Sequence, residues 1–127
     1  MVRGVFDWRL PVLSVVIPTL NAATTLAEAL AGFVPRKGEE GPEIIVVDGG
    51  SSDASCAIAQ SKGAKIISVP RGRGGQLAAG AKAARGDWLL FVHADTVLSD
   101  DWRAEVAQFA AHPENAMRAG VFRLALD

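Results

Sequence analysis

Gly86-Asp87-Trp88-Leu89-Leu90-Phe91-Val92-His93-Ala94-Asp95-Thr96 is an apolar run that ends abruptly in a histidine and a carboxylate. Five consecutive large apolar residues, Trp88 to Val92, predict a strand buried on both faces, as inside a parallel sheet. Desolvating a charge in such a core is costly. His93 and Asp95 are therefore expected just past the strand's carboxyl end, where open α/β sheets bind ligands.

The flanking sequence repeats this pattern. Val12 to Ile17 is a β-branched run stopped by Pro18 and predicts the first strand. Asn21 is placed to cap the helix whose apolar stripe is Leu26, Leu30 and Phe33. Glu43 to Val47 predicts the second strand, followed by the turn Asp48-Gly49-Gly50-Ser51-Ser52-Asp53. Ser52 or Asp53 can cap a helix reaching about Lys62, where Gly63 ends it. Ala64 to Val69 is the third strand, stopped by Pro70, and Arg71-Gly72-Arg73-Gly74-Gly75 reads as a basic glycine loop before a helix over 76–85. The opening run is then the fourth strand. Ser99 is expected to cap a further helix, with the stripe Trp102, Val106 and Phe109, closed by Pro113. Val121 to Leu124 is expected to be a last strand. Strands alternating with helices imply an α/β fold with a mostly parallel sheet. The long segment between the first and fourth strands permits the order 3-2-1-4.

The totals narrow the function classes. A chain of 127 residues, half of them apolar, is expected to be one domain with a sizeable core. A net charge of −1 gives no signal for nucleic acid or anionic lipid. Its distribution says more: residues 54–86 contain no acid but carry Lys62, Lys65, Arg71, Arg73, Lys82 and Arg85, which suits a small anion. The single cysteine, Cys56, excludes an intrachain disulfide and a multi-cysteine metal site. With no leader-like run at the start and no apolar run of ~20 residues, the expectation is a cytoplasmic protein, at most peripheral to a membrane.

Each of the first four strands ends in polar or Pro/Gly punctuation: Pro18-Thr19-Leu20-Asn21, Asp48-Gly49-Gly50-Ser51, Pro70-Arg71-Gly72-Arg73 and His93-Ala94-Asp95. In a parallel sheet all four share one edge. In the order 3-2-1-4, Asp48 and Asp95 stand two strand spacings apart, about 10 Å, a span that suits a nucleotide. Asp48 can accept from a nucleobase N–H, and Arg71 or Arg73 can pair with phosphate. Asp95 is a hard oxygen donor for Mg²⁺ or Mn²⁺ held jointly with a diphosphate. Rival glycine motifs fail: Leu77 replaces the third glycine of GxGxxG, and Ala81 replaces the lysine of a P-loop.

Ser14 to Asn21, Glu43 to Asp53 and Gly86 to Asp95 together resemble family 2 glycosyltransferases, in that family's order. The Asp48-Gly49-Gly50-Ser51 form, the Arg71 to Gln76 loop and His93-Ala94-Asp95 look like a glycosyltransferase-like subgroup found near radical-SAM or selenium-related genes. The resemblance implies a GT-A fold: a Rossmann-like three-layer sandwich whose last strand is antiparallel. It implies inverting sugar transfer from a nucleotide-diphosphate sugar, UDP-sugar favoured, to the hydroxyl of an unidentified acceptor. Thr19 and Asp48 would contact the nucleobase and Arg71 or Arg73 the base or phosphates. Pro18, Asn21, Gly49 and His93 are the remaining candidates for the nucleotide edge, and Asp95 is the candidate ligand of Mn²⁺ or Mg²⁺. Two positions depart from the family pattern: Gly49 stands for its second aspartate, and His93 for the first carboxylate of Asp-x-Asp. The family's acceptor half, which carries the general base, is expected after the last strand. Residues 1–127 are therefore expected to be a single donor-binding domain truncated before that half, with self-association through the uncovered sheet. The alternative expectation is a truncated or non-catalytic nucleotide-binding module.

Overall fold

The computed structural model of the chain describes residues 13–35, 38, 41–115 and 118–120. Its elements are β1 (Leu13–Thr19), α1 (Leu26–Ala31), β2 (Glu43–Asp48), α2 (Ser55–Ser61), β3 (Lys65–Ser68), α3 (Arg73–Ala83), β4 (Trp88–Phe91), α4 (Trp102–Ala111) and a 3-10 turn, Pro113–Asn115. The chain divides into two units, the larger ending at Leu98 and the smaller containing α4 and the 3-10 turn.

The larger unit holds a sheet in the order β3-β2-β1-β4, as expected. All pairings among the described strands are parallel, β4 included. No antiparallel member occurs among them, and the expected last strand, 121–124, lies outside the described residues. β1 and β2 form the centre, and their apolar side chains are almost wholly buried. The chain steps from β1 to β2 to β3 in one direction and then crosses back to β4. With right-handed crossovers, that reversal sends α3 to the face opposite α1 and α2, giving three layers. α3 packs on Val16, Ile45 and Val47, with Ile67, Val69, Ala79, Ala83 and Ala84 around them. Gly80 lets it approach closely: a Cβ there would overlap Val16 Cγ1 and lie 3.0 Å from Val47 Cγ2. Elsewhere in the larger unit, Leu26, Ala29, Leu30, Phe33 and Ala59 are buried.

Several local expectations need correction. Pro18 does not stop β1; it pairs with Val47 inside the strand. Val16 O accepts from Val92 N–H, and Thr19 O accepts from Gly49 N–H. Alternation therefore directs the missing N–H of Pro18 toward β4's side, beyond that ladder's last pair, Val16 with Phe91. Asn21 is not a helix cap. It sits in the left-handed region at φ 50°, and α1 begins only at Leu26. Ser99 is not the cap of α4 either; Asp101 holds that position and Ser99 Oγ donates to its carboxylate. α3 starts at Arg73 rather than Gln76, so Gly74 and Gly75 belong to its first turn. β4 is not buried on both faces. It is an edge strand of the described sheet, and Leu89 and Phe91 are 39% and 48% exposed on the side where α3 covers β1 and β2.

The end of α2 is as expected. Gly63, at φ 81°, follows it; Ala64 N–H reaches Ala59 O and Gly63 N–H reaches Gln60 O, which satisfies the last carbonyls.

Candidate active site

The carboxyl ends of β1 and β4, together with the turn into α3, enclose a groove of about 780 Å³, within the usual range for ligand sites. It lies at the boundary of β1 and β4, where the sheet's connections reverse direction. Of the expected site residues, Pro18, Thr19, Asn21, Arg71, Arg73, His93 and Asp95 all line it. Asp48 and Gly49 do not.

One wall is held by bonds between loops. Asn21 N–H donates to Ser51 Oγ at 2.8 Å, and Asn21 Oδ1 accepts from Ser52 N–H at 2.8 Å. Ala22 N–H donates to Ser55 Oγ, and Ala23 N–H to Asp53 Oδ2. The loops after β1 and β2 are thereby stapled together. The left-handed backbone of Asn21, tolerated by a short polar side chain, aims its carbonyl oxygen across that gap. Asp53 also accepts from Ser55 N–H and Oγ at 2.9 and 2.6 Å, so it bridges both loops. These bonds and others from its surroundings hold its carboxyl below the usual range.

Asp48 is 4% exposed. Its Oδ2 accepts from Gly50 N–H at 3.0 Å and Ser51 N–H at 2.9 Å, and its Oδ1 from Ser51 Oγ at 2.6 Å. Burial pushes its pKa up, but bonds from Ser51, Gly50 and the Cys56 thiol outweigh that, so it stays below the ordinary aspartate value. Asp48 is ionised at neutral pH and folds its own turn. The Cys56 thiol beside it is pushed up, by burial first and then by the Asp48 charge, which suits an unreactive cysteine.

The opposite wall is basic. Arg71 and Arg73 are exposed at the groove, and Arg73 opens α3. The first intrahelical bond is Gln76 N–H to Gly72 O at 2.9 Å. The N–H groups of the first turn are those a helix leaves without intrahelical acceptors, so this end is electropositive. Across from it, Thr25 Oγ1 donates to Ala94 O at 3.0 Å, fixing the loop between His93 and Asp95. Both of these side chains are exposed.

Among the described residues, no group of three or more His, Cys, Asp or Glu side chains is assembled for a metal. An imidazole and a carboxylate two residues apart are a sparse donor set. They fit a cation that takes its remaining ligands from a diphosphate. Sequence reasoning missed Gln76, which lines the groove while 5% exposed. It also missed Thr25. Thr25 lies in no recognisable motif; Gln76 ends the Arg71–Gln76 segment quoted above, and Gly49 was the other sign that something packs against that turn.

Residues 14–125 match the model of the family described as Glycosyl transferase family 2. The chain is 35% identical over 112 residues to a PGL/p-HBAD biosynthesis glycosyltransferase of Mycobacterium bovis, covering 82% of this chain and 43% of that one. It is 35% identical over 120 residues to the dolichyl-phosphate beta-glucosyltransferase of Drosophila melanogaster, covering 80% and 37%. The chain thus spans less than half the length of these relatives. Its fold is similar to that of S. aureus TarS 1-349, with TM-score 0.66, 27% identity and coverage of 77% and 32%. It is also similar to M. tuberculosis glucosyl-3-phosphoglycerate synthase, solved in complex with Mn²⁺, uridine-diphosphate and phosphoglyceric acid. There the TM-score is 0.60, with 30% identity and coverage of 68% and 34%. The fold is that of the GT-A glycosyltransferases, no helix of the described residues is long and apolar enough to cross a membrane, and the chain belongs to glycosyl transferase family 2.

Proposed function

We propose that this chain is the donor-binding part of an inverting glycosyltransferase, taking a nucleotide-diphosphate sugar, with UDP-sugars favoured. The observation that carries the reading is the groove that joins the end of β1, the basic start of α3 and the His93–Asp95 loop on one sheet edge. The nucleoside would lie along β1's end and the Asn21 loop. The diphosphate would face Arg71, Arg73 and the electropositive start of α3. Asp95, with His93, would hold Mn²⁺ or Mg²⁺ together with the diphosphate; the imidazole favours Mn²⁺. Bound there, the metal would supply positive charge against the departing nucleotide diphosphate.

This chain's own residues bind and orient the donor, and the arginines stabilise negative charge as the sugar–oxygen bond breaks. The acceptor hydroxyl would attack the anomeric carbon from the opposite side. Its proton would go to a base that none of the residues above supplies. Asp48, its carboxylate held by Ser51 and Gly50, and Gly49 would shape the wall at the end of β2 beside the nucleoside. UDP-bound structures of a similar fold support the choice of nucleotide.

Incubation with a panel of UDP-sugars, following UDP release, tests the enzyme reading. Release above the uncatalysed rate, abolished by Asp95→Ala, is expected. UDP binding without any release, even in protein extended to the length of its relatives, would instead establish a non-catalytic nucleotide-binding module.

A further inference from the structure

Gln76 is buried in α3, beside the groove. Its Nε2 donates to Val47 O at 2.8 Å and to Thr19 O at 3.0 Å, while its Oε1 accepts from Gly72 N–H at 3.2 Å. The partners dictate the amide's orientation, since the reverse flip would set its oxygen against two carbonyls. A Cβ on Gly49 would lie 2.9 Å from Oε1 and 3.0 Å from Cδ and Nε2. The amide therefore occupies the space that any side chain at position 49 would need.

Three chain segments meet on this one side chain: the end of β1, the end of β2 and the turn into α3. The surface that α3 turns to the sheet is otherwise small and smooth, with Ala79, Gly80 and Ala83. Methyl-sized contacts resist sliding along the helix axis poorly. A buried, fully bonded amide selects one position.

We infer that Gln76 is a positioning residue for nucleotide binding. It holds the nucleoside-facing end of β1, and the end of β2 behind it, in register with the phosphate-facing first turn of α3, and residue 49 is glycine to admit it. The inference rests on the nucleotide reading above and makes Gly49 and Gln76 a single coupled feature.

The test is calorimetric titration of UDP into wild type, Gln76→Met, Gly49→Ala, Gln76→Ala and the Gly49→Ala/Gln76→Ala double variant, with Tm measured for each. Ser14→Ala serves as a control for destabilisation alone. Ser14 is buried about 16 Å along β1 from Thr19, where it donates to Glu43 Oε1 and accepts from Gly86 N–H. Ser14→Ala is expected to lower Tm and leave the UDP Kd unchanged. Gln76→Met and Gly49→Ala are each expected to raise the Kd about tenfold or more, the scale of lost buried hydrogen bonds. Gly49→Ala is expected to add no further factor once Gln76 is alanine. A Gln76→Met protein that binds UDP like wild type would overturn the inference. If that variant fails to fold, a Gly49→Ala protein with wild-type affinity, or one whose penalty persists undiminished in the Gln76→Ala background, would do so. A wild type that does not bind UDP would remove the nucleotide reading and this inference together, whereas a wild type that binds beside indifferent variants removes the inference alone.

Discussion

The hydroxyl of Thr25 donates to the carbonyl of Ala94 at 3.0 Å, tying the approach to α1 to the loop that carries His93 and Asp95. The two residues are 69 positions apart in sequence. Their bond leaves the exposed Asp95 on a loop whose backbone is anchored from outside. Thr25→Val keeps the shape and removes the donor, at a cost of about 1 kcal/mol in loop order. The expected outcome is a severalfold loss of the Mn²⁺-dependent increment in UDP affinity, restored by Thr25→Ser. UDP titrations with and without Mn²⁺ measure it.

Asp48 links the site to pH. Burial raises its pKa, yet the bonds from Ser51, Gly50 and Cys56 leave it lower in the folded protein than the ordinary aspartate value. A depressed folded-state carboxylate contributes stability that is present above the unfolded pKa and lost as pH falls through the folded one. Stability should therefore fall as pH drops below about 4, the ordinary aspartate range. Asp48→Ala should cost about 2 kcal/mol at neutral pH and flatten that acid limb. Urea unfolding from pH 7 down to pH 3 checks both.

Gly80 sets two tendencies against each other. Alanine is the better helix former by about 1 kcal/mol, but its Cβ would overlap Val16 Cγ1 and press on Val47. Val16 and Val47 lie in the buried sheet centre and have little room to yield. Overpacking of this kind costs about 1–3 kcal/mol. Gly80→Ala should therefore destabilise the protein on balance, with a lower urea midpoint and an unchanged slope.

Arg73 opens α3 at the groove. Arg73→Ala should weaken UDP about tenfold through loss of a charge-assisted bond, and it should leave uridine affinity unchanged. The salt dependence of UDP binding should shrink in parallel. Titrations of UDP and uridine at two ionic strengths separate these effects.

The sheet was legible because four β-branched or apolar runs each meet a turn signal, and because residues 44–47 and 15–17 have nothing polar to place in water. The order 3-2-1-4 followed from one long connection. What stayed hidden depended on tertiary contact. Pro18 looked like a strand stop because its unbonded side could not be known before β4's ladder was seen to end at Phe91. Two glycines argued for a loop at 74–75, yet the buried Gln76 network lets α3 begin at Arg73. Asp48 had the residue type and strand-end position of a ligand group, while its bonds to Gly50 and Ser51 belong to a turn geometry that sequence does not display. Burial of β4 was overestimated because an apolar run does not reveal that it lies at a sheet edge.

The groove between β1, α3 and the His93–Asp95 loop is expected to bind a nucleoside diphosphate with help from a divalent metal. Calorimetric titration of UDP, with and without Mn²⁺, into wild type and Asp95→Ala tests it most directly. Saturable binding to wild type that Mn²⁺ strengthens is expected, with loss of that strengthening in Asp95→Ala. Absence of UDP binding to wild type at millimolar concentration, with or without Mn²⁺, would contradict it.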